Sequence, residues 1–158
     1  MFSVFKYIQV ADPNHKQLLD SAKMSHYNVK WSLSTLKTGL DEMVKNPEWK
    51  GGQSVFLEQG NSQAGFQFII ENHKSRFFLL AGCQSDAISD YIHTYMQFEG
   101  LNPNLILLPH ISDGIFAVVY KVALAANRPD LYLHVSLDPY GRILYAFPSE
   151  TEDFEGEL

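Results

Sequence analysis

One cysteine and six histidines are the first residues of this chain to weigh as nucleophile, base or metal ligand. Cys83 ends a predicted strand and lies just before a helical pattern opening near Ser85, where free amides and a helix dipole can lower a thiol pKa. A thiol or hydrolytic enzyme built on it needs a base, so His93 or His110 would have to reach Cys83 in space. The competing reading is a small apolar core residue, because Cys83 continues the parity of Phe77, Leu79 and Ala81. A lone cysteine specifies little by itself. Asp90 and His93 stand three apart, as do His110 and Asp113, so a carboxylate–imidazole metal pair can be drawn at each place. The chain has no HExxH and no paired CxxC, and neither a metal nor a cofactor is predicted. It also lacks GxxxxGK[ST], GxGxxG and GxSxG, which sets aside phosphate loops, dinucleotide folds and hydrolase elbows. Among 18 acids no carboxylate pair is singled out for glycosidase work. The expectation is a protein that is not an enzyme, with the Cys83 thiol enzyme as the alternative.

Aromatic residues offer a different chemistry. Tyr132, His134 and Ser136 on one predicted strand, with Tyr145 and Phe147 on its partner, form a mixed face of the kind enriched in protein interfaces. The same face would serve equally as a second core face beneath a helix. Glu150, Glu152, Asp153, Glu155 and Glu157 place five acids and no base in residues 150–158. Outside that stretch 13 of the 18 acids stand against 12 bases, so the net charge of −6 is concentrated at one end. Such a tail can steer a basic partner by long-range attraction, or simply be a solvated, unfolded terminus. The bases are spread singly along the chain, which argues against direct nucleic-acid binding.

The elements that must position these residues read as follows. The stretch GFQFIIENHKSRFFLLAGC (65–83) has two alternating apolar arms around Asn72–Ser75, which predicts a β-hairpin on a type I turn. Residues 2–10 lean towards a strand, and Asp12-Pro13 opens a helix over about 13–24. Ser32 or Ser34 is a cap for a helix carrying Leu33, Leu36, Leu40, Met43 and Val44 and ending at Asn46-Pro47. NPEWKGG (46–52) breaks regular structure before a short strand over Ser54–Glu58, which with the hairpin would make a three-strand meander.

After Cys83, Ser85 caps a helix striped by Ile88, Tyr91, Ile92, Tyr95 and Met96 and stopped by Gly100. Leu105–Leu108 is a short apolar run. IFAVVYKVALAA (115–126) is apolar at almost every position; its length and Ala-rich end favour a buried helix capped by Asp113, while its β-rich start also fits a central strand. Leu131–Leu137 alternates as a strand, Asp138-Pro139-Tyr140-Gly141 is a turn, Arg142–Phe147 returns, and Pro148 ends regular structure.

With 158 residues, 46% of them hydrophobic and 13% aromatic, the chain suits one domain over residues 1–149 with a real core. The predicted class is α+β: an antiparallel or mixed sheet of five to seven strands with two or three helices on one face. No apolar run approaches the ~18–20 residues of a membrane span. A single cysteine, and no leader pattern at Met1, predict the cytoplasm. In size and acidity the chain looks like bacterial immunity proteins. The functional expectation is therefore a small acidic protein-binding module that blocks a macromolecular partner, most concretely an immunity protein neutralising a basic cognate toxin, nucleases among the candidates. Tyr132, His134, Tyr145, Glu150, Glu152, Asp153 and Glu155 would form its contact surface. A structural or regulatory adaptor acting as a homodimer is a further alternative.

Overall fold

A computed structural model describes residues 29–50, 52–97, 106–108, 115–122 and 131–151. The expected strand over 2–10 and helix over 13–24 lie outside the described residues. Strand β1 (Val29–Ser34) alternates half-buried Val29, Trp31 and Leu33 with exposed Lys30, Ser32 and Ser34, so one face of it is wet. Ser34 ends the strand and caps helix α1 (Thr35–Thr38), its Oγ accepting from the Lys37 N–H at 3.3 Å. The chain turns at Gly39 and resumes as α2 (Asp41–Val44). The single helix expected here is thus two short ones, and Leu36, expected inward, is exposed while Leu40 and Met43 are buried. Strand β2 (Ser54–Glu58) pairs antiparallel with β1.

The predicted hairpin over 65–83 is instead a 16-residue helix, α3 (Phe66–Ala81). Its buried residues are Phe68, Ile69, His73 and Phe77; Ile69, His73 and Phe77 recur every fourth position, a helical stripe that runs straight through the supposed turn. Apolar residues on the other faces of the helix supplied the alternation that imitates strands. Gly82 stops α3 with φ +64°, and the N–H groups of Gly82 and Cys83 close on the carbonyls of Phe78 and Phe77 at 3.0 and 3.1 Å, a left-handed stop that glycine adopts without strain. With this segment helical, there is no meander joining it to β2.

A 3-10 turn (Ser85–Ala87) leads into α4 (Ile88–Met96), with Ile88, Ile92 and Met96 buried along the expected stripe. Ser85 opens the turn but makes no side-chain cap to α4.

Strands β3 (Ile106–Leu108), β4 (Phe116–Lys121), β5 (Tyr132–Leu137) and β6 (Ile143–Ser149) form one antiparallel sheet in sequence order. The helix favoured over 115–126 is therefore corrected to a strand at its start. β4 lies between β3 and β5 and is buried on both faces, which removes the alternation that would mark it. Pro148 does not end β6 but pairs opposite Leu133; among the described residues β6 pairs with β5 alone within this sheet, and an outer strand tolerates the missing N–H.

The class is α+β; among the described residues the strands form a two-stranded ribbon and a four-stranded sheet joined at an isolated parallel bridge, Phe56 to Arg142, and a single sheet of five to seven strands is not seen there. Nor are the helices confined to one face. His134, Phe147 and Tyr145 share the face under α3, where Phe68 and His73 pack on Tyr145. The opposite face, with Phe116 and Tyr120, meets the α1–α2 segment: the Tyr120 hydroxyl donates to the Thr38 carbonyl at 2.8 Å, and Trp49 sits edge-on to Phe116. α4 is held against α3 by Tyr91 on Phe77 and against β1 by Trp31, whose Nε1–H donates to the Ser89 carbonyl and hydroxyl at 3.2 Å. No helix among the described residues is long and apolar enough to cross a membrane.

Candidate functional site

Cys83 follows the stop of α3, not the end of a strand. It is buried, its Sγ–H points to the Gln84 carbonyl at 3.5 Å, and burial followed by the charge of Asp86 pushes its thiol pKa up. This is the reverse of what a nucleophilic thiol needs. Tyr91, whose pKa is itself raised by burial and by neighbouring Tyr95 and Cys83, faces the thiol from α4. His93 is two residues further on, on nearly the opposite side of that helix. There it lies edge-on to Trp31 at 5.0 Å and accepts at Nδ1 from the Gln97 amide at 2.9 Å. The fold therefore points Cys83 and His93 at different neighbours. His110 and Asp113 lie outside the described residues. Among the described residues no group of three or more His, Cys, Asp or Glu side chains is arranged to hold a metal ion.

The aromatic face nominated for partner binding is the one α3 covers. Tyr145 and His134 are buried and Tyr132 is half-buried. Phe147 is stacked between partners: His134 lies parallel to it at 5.1 Å, His73 is tilted at 5.1 Å, and Arg76 sits over the ring at 4.3 Å. The His134 Nε2–H donates to the Thr151 carbonyl at 2.8 Å. Burial pushes the Tyr145 hydroxyl up to about 12, against the opposing hydrogen bond with Ser136. His73 is held at about 3, first by burial and then by Arg76, so it is neutral at any ordinary pH. Its Nε2 is buried with no hydrogen-bond partner among the described residues. These groups fasten helix to sheet, and a partner meeting the outer surface would not touch His134 or Tyr145.

Sequence reasoning missed what α3 presents on its outer side. Phe78 and Leu79 are 53% and 74% exposed in the last turn of the helix. Read as a strand, both sat inside an arm; only the helical stripe of Ile69, His73 and Phe77 puts Phe78 and Leu79 outside. Their position follows from the pairing of α3 with β6. Gly65 N–H donates to the Leu144 carbonyl at 2.8 Å, Phe68 stacks on Tyr145, and Arg76 reaches Phe147. Helix and strand thus run side by side in the same direction, and the exposed apolar turn emerges at the end of the sheet where β6 finishes. Glu150, the first acid of the terminal cluster, is exposed at that end. Glu152, Asp153 and Glu155 lie outside the described residues.

A separate open cleft of about 490 Å³ is lined by Val29, Lys30, Gln59 and Ser89; none of the residues nominated from sequence is among them. Neither a protein-family model nor a curated protein matches the chain.

Proposed function

We propose that this chain is a protein-binding module that blocks a basic macromolecular partner, in its most concrete form an immunity protein neutralising a cognate toxin. The observation that carries the reading is the common direction of α3 and β6, which brings exposed Phe78 and Leu79 and the first acid of the terminal cluster to one end of the molecule. Contiguous exposed apolar side chains, as Phe78 and Leu79 are, give a partner apolar surface to bury, and an aromatic anchor within a polar rim is the usual anatomy of an interface. The apolar pair would supply the desolvated contact and the acids would steer the approach. Tyr132 and Glu150 belong to the proposed surface; His134 and Tyr145 support it from beneath. The environment of Cys83 gives the thiol-enzyme reading no comparable support.

The test begins with the neighbouring reading frame, where an unrelated metabolic gene counts against the proposal, and a toxin-like catalytic domain, if encoded there, is titrated with the full chain. Inhibition is expected near equimolar protein, with association slowing as salt rises because the steering field is screened. Full catalytic activity in the presence of a large molar excess of this chain rejects the proposal.

A further inference from the structure

The β5–β6 turn, Asp138–Arg142, does more than reverse the chain, because it also fastens the sheet to the ribbon. The Lys50 N–H donates to the Pro139 carbonyl at 2.6 Å and the Phe56 N–H to the Gly141 carbonyl at 2.8 Å. Gly141 has φ +87°, and a Cβ there would stand 2.2 Å from the Ser54 carbonyl oxygen. Only glycine allows the turn to lie this close to β2.

Among the described residues three ionisable side chains are enclosed in this seam: Glu58 from β2, and Asp138 and Arg142 from the turn, all buried. The Arg142 guanidinium reaches Glu58 at 2.8 Å. Asp138, 0% exposed, uses Oδ1 to accept from the N–H groups of Tyr140 and Arg142 at 2.8 and 3.0 Å. Its Oδ2 is buried with no hydrogen-bond partner among the described residues. The guanidinium is thus bonded to Glu58, while Asp138 is held by backbone N–H groups and feels the Arg142 guanidinium and Glu58 through their charge. Of the other described groups at the seam, Lys50 touches the turn through its backbone while its residue is exposed, and Tyr140 is half-buried.

A buried carboxylate oxygen without a donor is far more costly as an anion than as an acid. Burial pushes Asp138 up to about 7; the Arg142 and Tyr140 amides and the guanidinium pull it down, and the charge of Glu58 adds to the rise.

We propose that Asp138 is a proton-operated joint: its carboxyl group keeps a proton while the sheet and ribbon are locked together, and gives that proton up when the seam opens to water. The sign follows from linkage. The open seam exposes an ordinary carboxyl, ionising near pH 4, whereas the closed seam holds the proton to higher pH. The closed form is therefore most favoured in acid and loses ground as pH rises towards neutrality, after which the dependence levels off.

The experiment is NMR on the full chain, following the Asp138 carboxyl carbon and the exchange of the Phe56 amide, corrected for intrinsic rates, from pH 4 to 8. Asp138 is expected to titrate near 7. Phe56 protection should fall by up to about tenfold per pH unit until then, while the Ile69 amide inside α3 shows no such fall as pH rises. In Asp138→Asn the slope at Phe56 disappears. An Asp138 carboxyl titrating in the ordinary carboxylate range, or the same slope persisting in Asp138→Asn, overturns the proposal. Should that variant not fold, Glu58→Gln removes the neighbouring negative charge and lowers the Asp138 midpoint; an unmoved midpoint is equally decisive against it.

Discussion

Arg142 and Glu58 meet at 2.8 Å with side chains only 1% and 5% exposed, and they do so where the two sheets of the molecule touch. An ion pair in that position contributes little net stability relative to apolar side chains of the same shape, but removing one partner strands the other charge away from water. Glu58→Leu should therefore destabilise the fold by about 3–5 kcal/mol, while the double variant Glu58→Leu/Arg142→Met recovers most of that loss. Urea denaturation of the two variants beside the parent checks this. A single variant as stable as the parent would show that the pair is solvated.

His73 gives the fold an acid-sensitive contact. Its pKa falls from the ordinary 6.5 to about 3 on folding, so the unfolded chain takes up the proton first. Stability from this residue is complete above pH 6.5 and is lost as pH falls towards 3, at up to about 1.4 kcal/mol per pH unit. The denaturation midpoint of the parent should fall more steeply between pH 6.5 and 4.5 than that of His73→Leu. Parallel pH courses for the two proteins would contradict the assignment.

Gly141 and Gly82 separate strain from collision. At Gly82 an added Cβ meets nothing within 4 Å, so Gly82→Ala should lose only the left-handed penalty of about 1–2 kcal/mol. At Gly141 the same Cβ strikes the Ser54 carbonyl, and Gly141→Ala should cost clearly more and expose the Phe56 amide to exchange. Equal losses in thermal unfolding would mean that the turn does not press on β2.

Cys83 should label slowly with a neutral-pH thiol reagent in the folded protein and at once in denaturant, because burial and Asp86 both hold its pKa up. Rapid stoichiometric labelling of the native protein at pH 7 would return the thiol-enzyme reading to the foreground.

What could be read from the sequence depended on how uniquely each segment displayed one period. Leu131–Leu137 and the Asp138–Gly141 turn were legible because alternation is clean and proline and glycine stand where a turn needs them. Ile88, Ile92 and Met96 announced α4 in the same way. α3 was misread because its apolar residues satisfy both periods and because buried His73 sits inside a polar tetrad that looks like a turn. β4 lost its signal by being covered on both faces. The Glu58–Arg142–Asp138 cluster had no local signature, since no spacing rule connects β2 with the last turn. The exposure of Phe78 and Leu79 was missed for the same reason as α3: only with the helix in place do they face outward.

The central claim is that the exposed end of α3 is a contact surface, and the double variant Phe78→Ser/Leu79→Ser tests it most directly. Both side chains are exposed, so the folding stability of the variant should stay within about 1 kcal/mol of the parent. Its affinity for the toxin domain that the parent chain inhibits should fall by at least about tenfold, the loss expected when hot-spot residues are truncated. Unchanged affinity in a normally folded variant would contradict the account.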